Sequence, residues 1–233
     1  MLKVLIYNEF VHERDKKNKA SVIYPDGIHM VLKDALKDEF EVKTVTLDTC
    51  DLITEDLLNE TDVIIWWGHV RHKQVPDEVA QRVQQAVLGG MGMVTLHSGH
   101  DSKPFKLLMG TNCHLKWRED GDYERIWVCK PSHPIVQGID RFIMLEHEET
   151  YGEPFGIPEP DETILIGGYE GGEVFRSGCC WQKENGKIFY FQPGHETFPT
   201  YYNKDVIKVI KNAINWAAPT YREKLTCDKV EKP

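Results

Sequence analysis

What the 233-residue chain lacks narrows its function first. Basic residues are outnumbered: 28 Lys and Arg stand against 37 Asp and Glu, a formal charge of −9. Nucleic-acid surfaces and polybasic membrane anchors both need an excess of positive charge, so neither nucleic acid nor a membrane is an expected partner. No stretch approaches the roughly 18 consecutive apolar residues of a membrane-spanning helix. The opening MLKVLIYNEF has too short an apolar run for a signal peptide, and charged VHERDKKNK follows at once. A cytoplasmic chain is the expectation. The six cysteines, at 50, 113, 129, 179, 180 and 227, form no C-x-x-C pair. Cys179 and Cys180 would point to opposite faces of a strand, and reduced thiols are expected throughout. No internal repeat, low-complexity tract or interdomain linker interrupts the chain.

What is present is an alternation. KVLIY (3–7), EVKTVTL (41–47), DVIIWW (62–67) and MVTLH (93–97) are β-rich runs. The third is apolar on both faces, as a central parallel strand requires. Between them, 24–39 carries Ile28, Val31, Leu32, Ala35 and Leu36 at helical spacing, and 75–90 is a helix with Pro near its start and a Gly pair at its end. A short helix is expected at 104–110. This rhythm predicts an α/β fold with a doubly wound, mostly parallel sheet. After residue 112 it gives way to IWVCK, RFIMLEHEETY, TILIGGY, SGCCWQ and KIFYFQP, strands without intervening helices. They predict an antiparallel elaboration in the second half. A helix over 203–218 closes one domain, 1–218, and 219–233 is expected to be an exposed tail.

Open parallel sheets bind ligands beyond the carboxyl ends of their strands. Here those ends carry Asn8-Glu9, Gly68-His69, His97-Ser98-Gly99-His100 and, late in the chain, Gly194-His195-Glu196. Core filling does not predict histidines and carboxylates converging on one rim from distant segments; a binding or catalytic site does. Ser98 lacks the G-x-S-x-G spacing of a nucleophile elbow, so a hydrolase using Ser98 with His195 is the minor reading, and Ser98 is expected to bond the turn or cap the next helix. Two readings of the histidines stay open. His69, His97 and His195 could ligate a divalent metal, zinc by ligand type, or they could move protons. In LEHEETY, strand alternation turns His147, Glu149 and Tyr151 to one side and Glu146, Glu148 and Thr150 to the other. Glu149 is the candidate general base. No nucleotide cofactor is expected.

The segments YPDGIH, VIIWWGHVRH, LHSGHDSKPFKLLMGT, LKWRE, HEETYGEPFGIPEPDE, GGEVFRSGC and GKIFYFQPGHETFPTYYN resemble the trehalose-utilisation (ThuA-like) family from about residue 2 to 218. The resemblance implies a flavodoxin-like doubly wound fold with helices on both faces, related to class I glutamine amidotransferases. In that superfamily a nucleophilic cysteine stands in G-x-C-x-G; on this chain its place falls at His97, with the following glycine at Gly99. The late His-x-Glu pair has a loose counterpart around His195-Glu196. Glutaminase chemistry is therefore not expected. The family context implies an enzyme of sugar catabolism acting on a keto-disaccharide or related oxidised sugar, by isomerisation or cleavage. In that reading His97, His195 and Glu149 are catalytic, and Glu9, His100, Tyr151, Arg176 and Glu196 bind substrate. The alternative is a non-catalytic sugar-binding or regulatory module. A homo-oligomer is expected.

Overall fold

The computed structural model describes residues 1–224 and 226–230. Eleven strands appear in chain order: β1 (Lys3–Asn8), β2 (Glu41–Thr46), β3 (Val63–Trp67), β4 (Gly92–Leu96), β5 (Lys116–Arg118), β6 (Glu124–Val128), β7 (Phe142–Leu145), β8 (Thr150–Gly152), β9 (Glu162–Tyr169), β10 (Val174–Lys183) and β11 (Gly186–Phe191). The helices are α1 (Ala20–Ile23), α2 (Ile28–Leu36), α3 (Glu55–Glu60), α4 (Asp77–Leu88), α5 (Lys103–Met109) and α6 (Lys204–Ala217).

Nine strands form one sheet in the order β2-β1-β3-β4-β11-β10-β9-β6-β7. From β2 to β11 the neighbours run parallel, and from β11 to β7 they run antiparallel. The parallel half and its antiparallel extension are thus one continuous sheet. The central strands bury both faces, and alternate residues enter different cores. Val4, Ile6, Val63, Ile65 and Trp67 pack with Leu32 of α2 and with Val209 and Ile210 of α6. Leu5, Tyr7, Ile64 and Trp66 pack on the other side with Leu58 of α3, Val79 and Val83 of α4 and Phe105 of α5. Cys179 and Cys180 divide the same way between the two cores, and all six cysteines are free thiols.

The structure corrects several local expectations. The helix expected over 24–39 is confined to α2, because Pro25 and Gly27 precede it, and Gly27 has φ +92°. The polar stretches around residues 20 and 55 contain short helices; Thr54 caps α3 by accepting from Leu57 N–H. Ser102, not Ser98, caps α5, accepting from Phe105 N–H. RFIMLEHEETY is not one strand. β7 ends at Leu145 and β8 begins at Thr150 on a separate two-stranded sheet with β5. Alternation therefore fails between them: His147 faces out, while Glu148 and Glu149 are both buried.

Residues 219–224 are not wholly free. Arg222 reaches the carbonyls of Asn59 and Thr61, and Glu223 N–H bonds the Gly89 carbonyl. Leu225 and residues 231–233 of the expected tail lie outside the described residues. Among the described residues, no helix is long and apolar enough to cross a membrane.

Candidate active site

β1 continues to β2 on one side and, after α3, to β3 on the other, so the sheet order reverses beside β1. The carboxyl ends of β1, β3, β4 and β11 therefore share one rim, where the ligand crevice of an open α/β sheet forms. His69 follows β3, His97 follows β4 and His195 follows β11. Glu149 comes from the irregular segment just before β8. One ligand-capable atom from each of these four lies within 4.8 Å of the others.

His97 occupies the turn after β4 with φ +49°, a left-handed conformation uncommon for a residue with a Cβ. Gly99 permits the turn: a Cβ there would stand 2.9 Å from Thr95 Cγ2 and 3.0 Å from the Trp66 carbonyl. His97 is fully buried, and its Nδ1–H donates to the Gln192 carbonyl at 2.9 Å. A carbonyl only accepts, so the proton belongs on Nδ1 and the lone pair of neutral His97 is on Nε2. Nε2 faces Glu149 Oε2 at 3.1 Å. Burial lowers the pKa of His97, but the hydrogen bond and charge of Glu149 more than offset it, and the net direction is up.

His195 is held in the opposite sense, through an Nδ1 that accepts. Its Nδ1 lies 2.8 Å from Thr197 Oγ1, which lies 3.1 Å from Glu119 Oε1. Thr197 N–H also donates to Nδ1 at 3.3 Å, so Nδ1 accepts and neutral His195 carries its proton on Nε2, turned toward Glu196 Oε2 at 3.6 Å. Burial, with a smaller contribution from the His97 charge, holds the His195 pKa at about 2. Burial and the same neighbour hold His69 at about 2. Both are neutral imidazoles, the protonation state in which histidine binds a metal.

His69 differs in its partners. Asn18 Nδ2 donates to His12 Nδ1 at 2.9 Å, so neutral His12 carries its proton on Nε2 and donates it to His69 Nδ1 at 3.1 Å. Glu196 lies 3.5 Å from His69 Nδ1, 3.7 Å from His12 Nδ1 and 3.6 Å from His195 Nε2. Burial raises its pKa to about 7.

Of two buried carboxylate oxygens here, Glu196 Oε2 has no hydrogen-bond partner and Glu149 Oε2 has only the 3.1 Å contact with His97 Nε2. Each is aimed at imidazole nitrogens. Unpaired buried acceptors are costly, and a cation between carboxylate and imidazole satisfies both. The residues therefore fit a divalent ion once His97 and His195 present an unprotonated Nε2 and His69 gives up the bond from His12, since metal binding releases protons.

The remaining candidates divide. Tyr151 joins the cluster, its hydroxyl 2.8 Å from Ser98 Oγ and 3.4 Å from His97 Nε2. Burial, then the Glu149 charge, keeps that hydroxyl protonated. Ser98 thus bonds Tyr151, not His195. His100 donates through Nδ1 to the Cys113 carbonyl and packs edge-on to Tyr151, Phe155 and Tyr190; burial holds its pKa at about 3. Glu9 accepts the backbone N–H groups of His69, Val70 and Arg71 at 2.8–3.0 Å. It shapes the loop that carries His69, and this engagement stands against the expected substrate contact. Arg176 is likewise engaged, by a bidentate pair with Glu153 and by the Phe155 carbonyl. His12, Glu148 and Gln192 were not legible as site residues. His12 lies four residues beyond β1 and is reachable by extending the strand-end argument into the loop. Strand alternation places Glu148 on the face opposite Glu149, and the contribution of Gln192 is partly its backbone.

The fold, a doubly wound α/β domain, is that of glutamine amidotransferase-like proteins. The chain belongs to the family described as Trehalose utilisation, which matches residues 3–217. Solved structures agree on the fold. A ThuA-like protein from Parabacteroides merdae superposes with a TM-score of 0.71 at 16% identity, over 100% of this chain and 93% of that one. A ThuA-like protein from Bacteroides uniformis gives 0.65 at 17% identity, over 93% and 91%. A glutamine amidotransferase from Thermotoga maritima gives 0.53 at 11% identity, over 92% and 84%. No curated protein matches the chain.

Proposed function

We propose that this protein is an enzyme of trehalose-related sugar catabolism that acts on a keto-disaccharide or related oxidised sugar by acid/base catalysis at the His69–His97–Glu149–His195 cluster. The observation that carries the reading is the buried Glu149 carboxylate set 3.1 Å from His97 Nε2, among three histidines from separate strand ends. His69, His97 and His195 would hold a divalent ion, zinc by ligand type. When bound, such an ion supplies Lewis-acid polarisation of a substrate carbonyl.

Glu149 is the proton acceptor. The acidic hydrogen of a keto-sugar is on the carbon beside the carbonyl. A buried carboxylate takes it with little reorganisation. Return of the proton to a neighbouring position isomerises the sugar. Expulsion of the glycosidic oxygen from the next carbon cleaves it, the leaving oxygen taking a proton. Tyr151, protonated and bonded to Ser98, is placed to donate a hydrogen bond to a substrate oxygen.

The test is incubation of the protein with 3-keto-trehalose, with and without added zinc, following both sugars by mass spectrometry. Turnover that falls about 10²–10⁴-fold in Glu149→Gln is expected. Absence of turnover on any keto-disaccharide, with metal-free protein by elemental analysis, overturns the reading. Sugar binding without turnover, unaffected by Glu149→Gln, would favour the binding-module alternative.

A further inference from the structure

The geometry points to Glu148 as a positioning residue that sets the spacing between Glu149 and His195, an assignment that rests on the reading of the cluster as an ion site. Glu148 is completely buried. Among the described residues no Lys, Arg or His forms an ion pair with it. A buried carboxylate without a direct ion pair is expensive, and four donors converge here to offset the cost.

Those donors come from two parts of the chain that meet only in the fold. Oε1 accepts Glu149 N–H at 3.0 Å and His195 N–H at 3.1 Å. Oε2 accepts Gly194 N–H at 3.0 Å and Thr200 Oγ1–H at 2.7 Å. A single oxygen therefore bridges the backbones of two cluster residues separated by 46 positions in sequence. Glu148 can do this because the chain leaves strand geometry between β7 and β8, with Glu148 N–H bonded to the Asp122 carbonyl. Adjacent carboxylates then both turn inward, Glu149 toward His97 and Glu148 beneath the His195 turn. The turn is tight: Gly194 has φ +134°, Tyr201 fills the space where a Cβ would project, and Trp67 Nε1–H holds the Gly194 carbonyl at 3.0 Å. Oriented ligands need such outer support, and its loss commonly weakens metal binding about 10–100-fold.

Glu148→Gln discriminates sharply. An amide keeps one acceptor oxygen and turns an NH2 group against two donors, whichever way it is placed. Cobalt(II) serves as the probe, since its visible absorption reports ligand geometry, with affinity read by chelator competition on full-length protein. The control is Thr200→Val, which removes one Oε2 bond and leaves the Glu149 and His195 amides in place. A folded Glu148→Gln variant with about 10–100-fold weaker cobalt binding and a changed spectrum is expected. Thr200→Val should lower the melting temperature with an unchanged spectrum. Glu148→Asp keeps the charge, shortens the reach, and gives the same readout if the glutamine variant does not fold. Turnover of 3-keto-trehalose should fall in kcat with KM nearly unchanged. Identical cobalt affinity and spectrum in wild type and both Glu148 variants would overturn the assignment and leave the ion site standing. A wild-type protein that neither binds cobalt nor turns over keto-sugar would overturn both.

Discussion

His97 and Glu149 meet across the sheet rim with Nε2 and Oε2 3.1 Å apart, while the other ring nitrogen of His97 donates to the Gln192 carbonyl. The ring is locked at one end and faces the carboxylate at the other.

The three histidines should therefore contribute unequally to ion binding. His97→Ala should weaken zinc affinity by 10²-fold or more, and His195→Ala nearly as much. His69→Ala should cost less, because His69 must first give up the 3.1 Å bond from His12. Zinc at 100 times its Kd should stabilise the wild type by about 2.7 kcal/mol, reversibly with a chelator. Calorimetric titration of the three variants checks the ranking; equal losses at 69 and 97 would contradict it.

The bend at His97 should store backbone strain. At φ +49° a side chain with a Cβ is disfavoured by roughly 1–2 kcal/mol relative to glycine. His97→Gly should therefore be more stable than His97→Ala by about 1 kcal/mol in metal-free protein, although neither retains the imidazole. Denaturant unfolding of the pair measures it, and an alanine variant as stable as the glycine variant would show that the bend is relaxed.

Glu9 should prove structural. Its carboxylate accepts three backbone N–H groups from the His69 loop, and hydrogen bonds to charged groups contribute about 1.5–3 kcal/mol each. Glu9→Gln should lower stability by about 2–4 kcal/mol and disorder the loop, seen as faster amide exchange at 69–71. Exchange rates matching wild type would remove Glu9 from this role.

Glu124 should make stability fall with rising pH. Burial first, and then the nearby Glu148 charge, raise its pKa to about 8 from an ordinary carboxylate value; bonds from Ser177 and Tyr169 only partly offset this. The folded state then holds a proton that the unfolded state releases. The contribution is fully present below the unfolded pKa of about 4.5 and is lost as pH rises through about 8. Between pH 5 and 9, Glu124→Gln should gain on wild type by on the order of 2–4 kcal/mol. A difference in denaturation midpoint that does not change with pH would rule this out.

Much of the architecture was legible because it follows from periodicity. VIIWW could only be a strand buried on both faces, and it is the centre of the parallel half. The strand-end argument likewise gathered His69, His97 and His195, since parallel strands deliver their carboxyl ends to one rim. The argument failed where local geometry departed from a regular element. Alternation through LEHEETY assumed a continuous strand, and the actual break sends Glu148 inward and His147 out. Glu9 and Arg176 were reasonable rim candidates. Only their partners, three loop amides for one and Glu153 for the other, show that their polar atoms are already engaged.

By itself, the sequence determined the fold class, the family and the residue types at the rim, because hydrophobic period and strand-end position are local properties of the chain. Tertiary structure alone decided which nitrogen of His97 is tied to the Gln192 carbonyl, that His12 orients His69, and that Glu148 ties Glu149 to His195. Those depend on hydrogen bonds between groups up to 95 residues apart, and no local pattern records which donor a buried acceptor will meet.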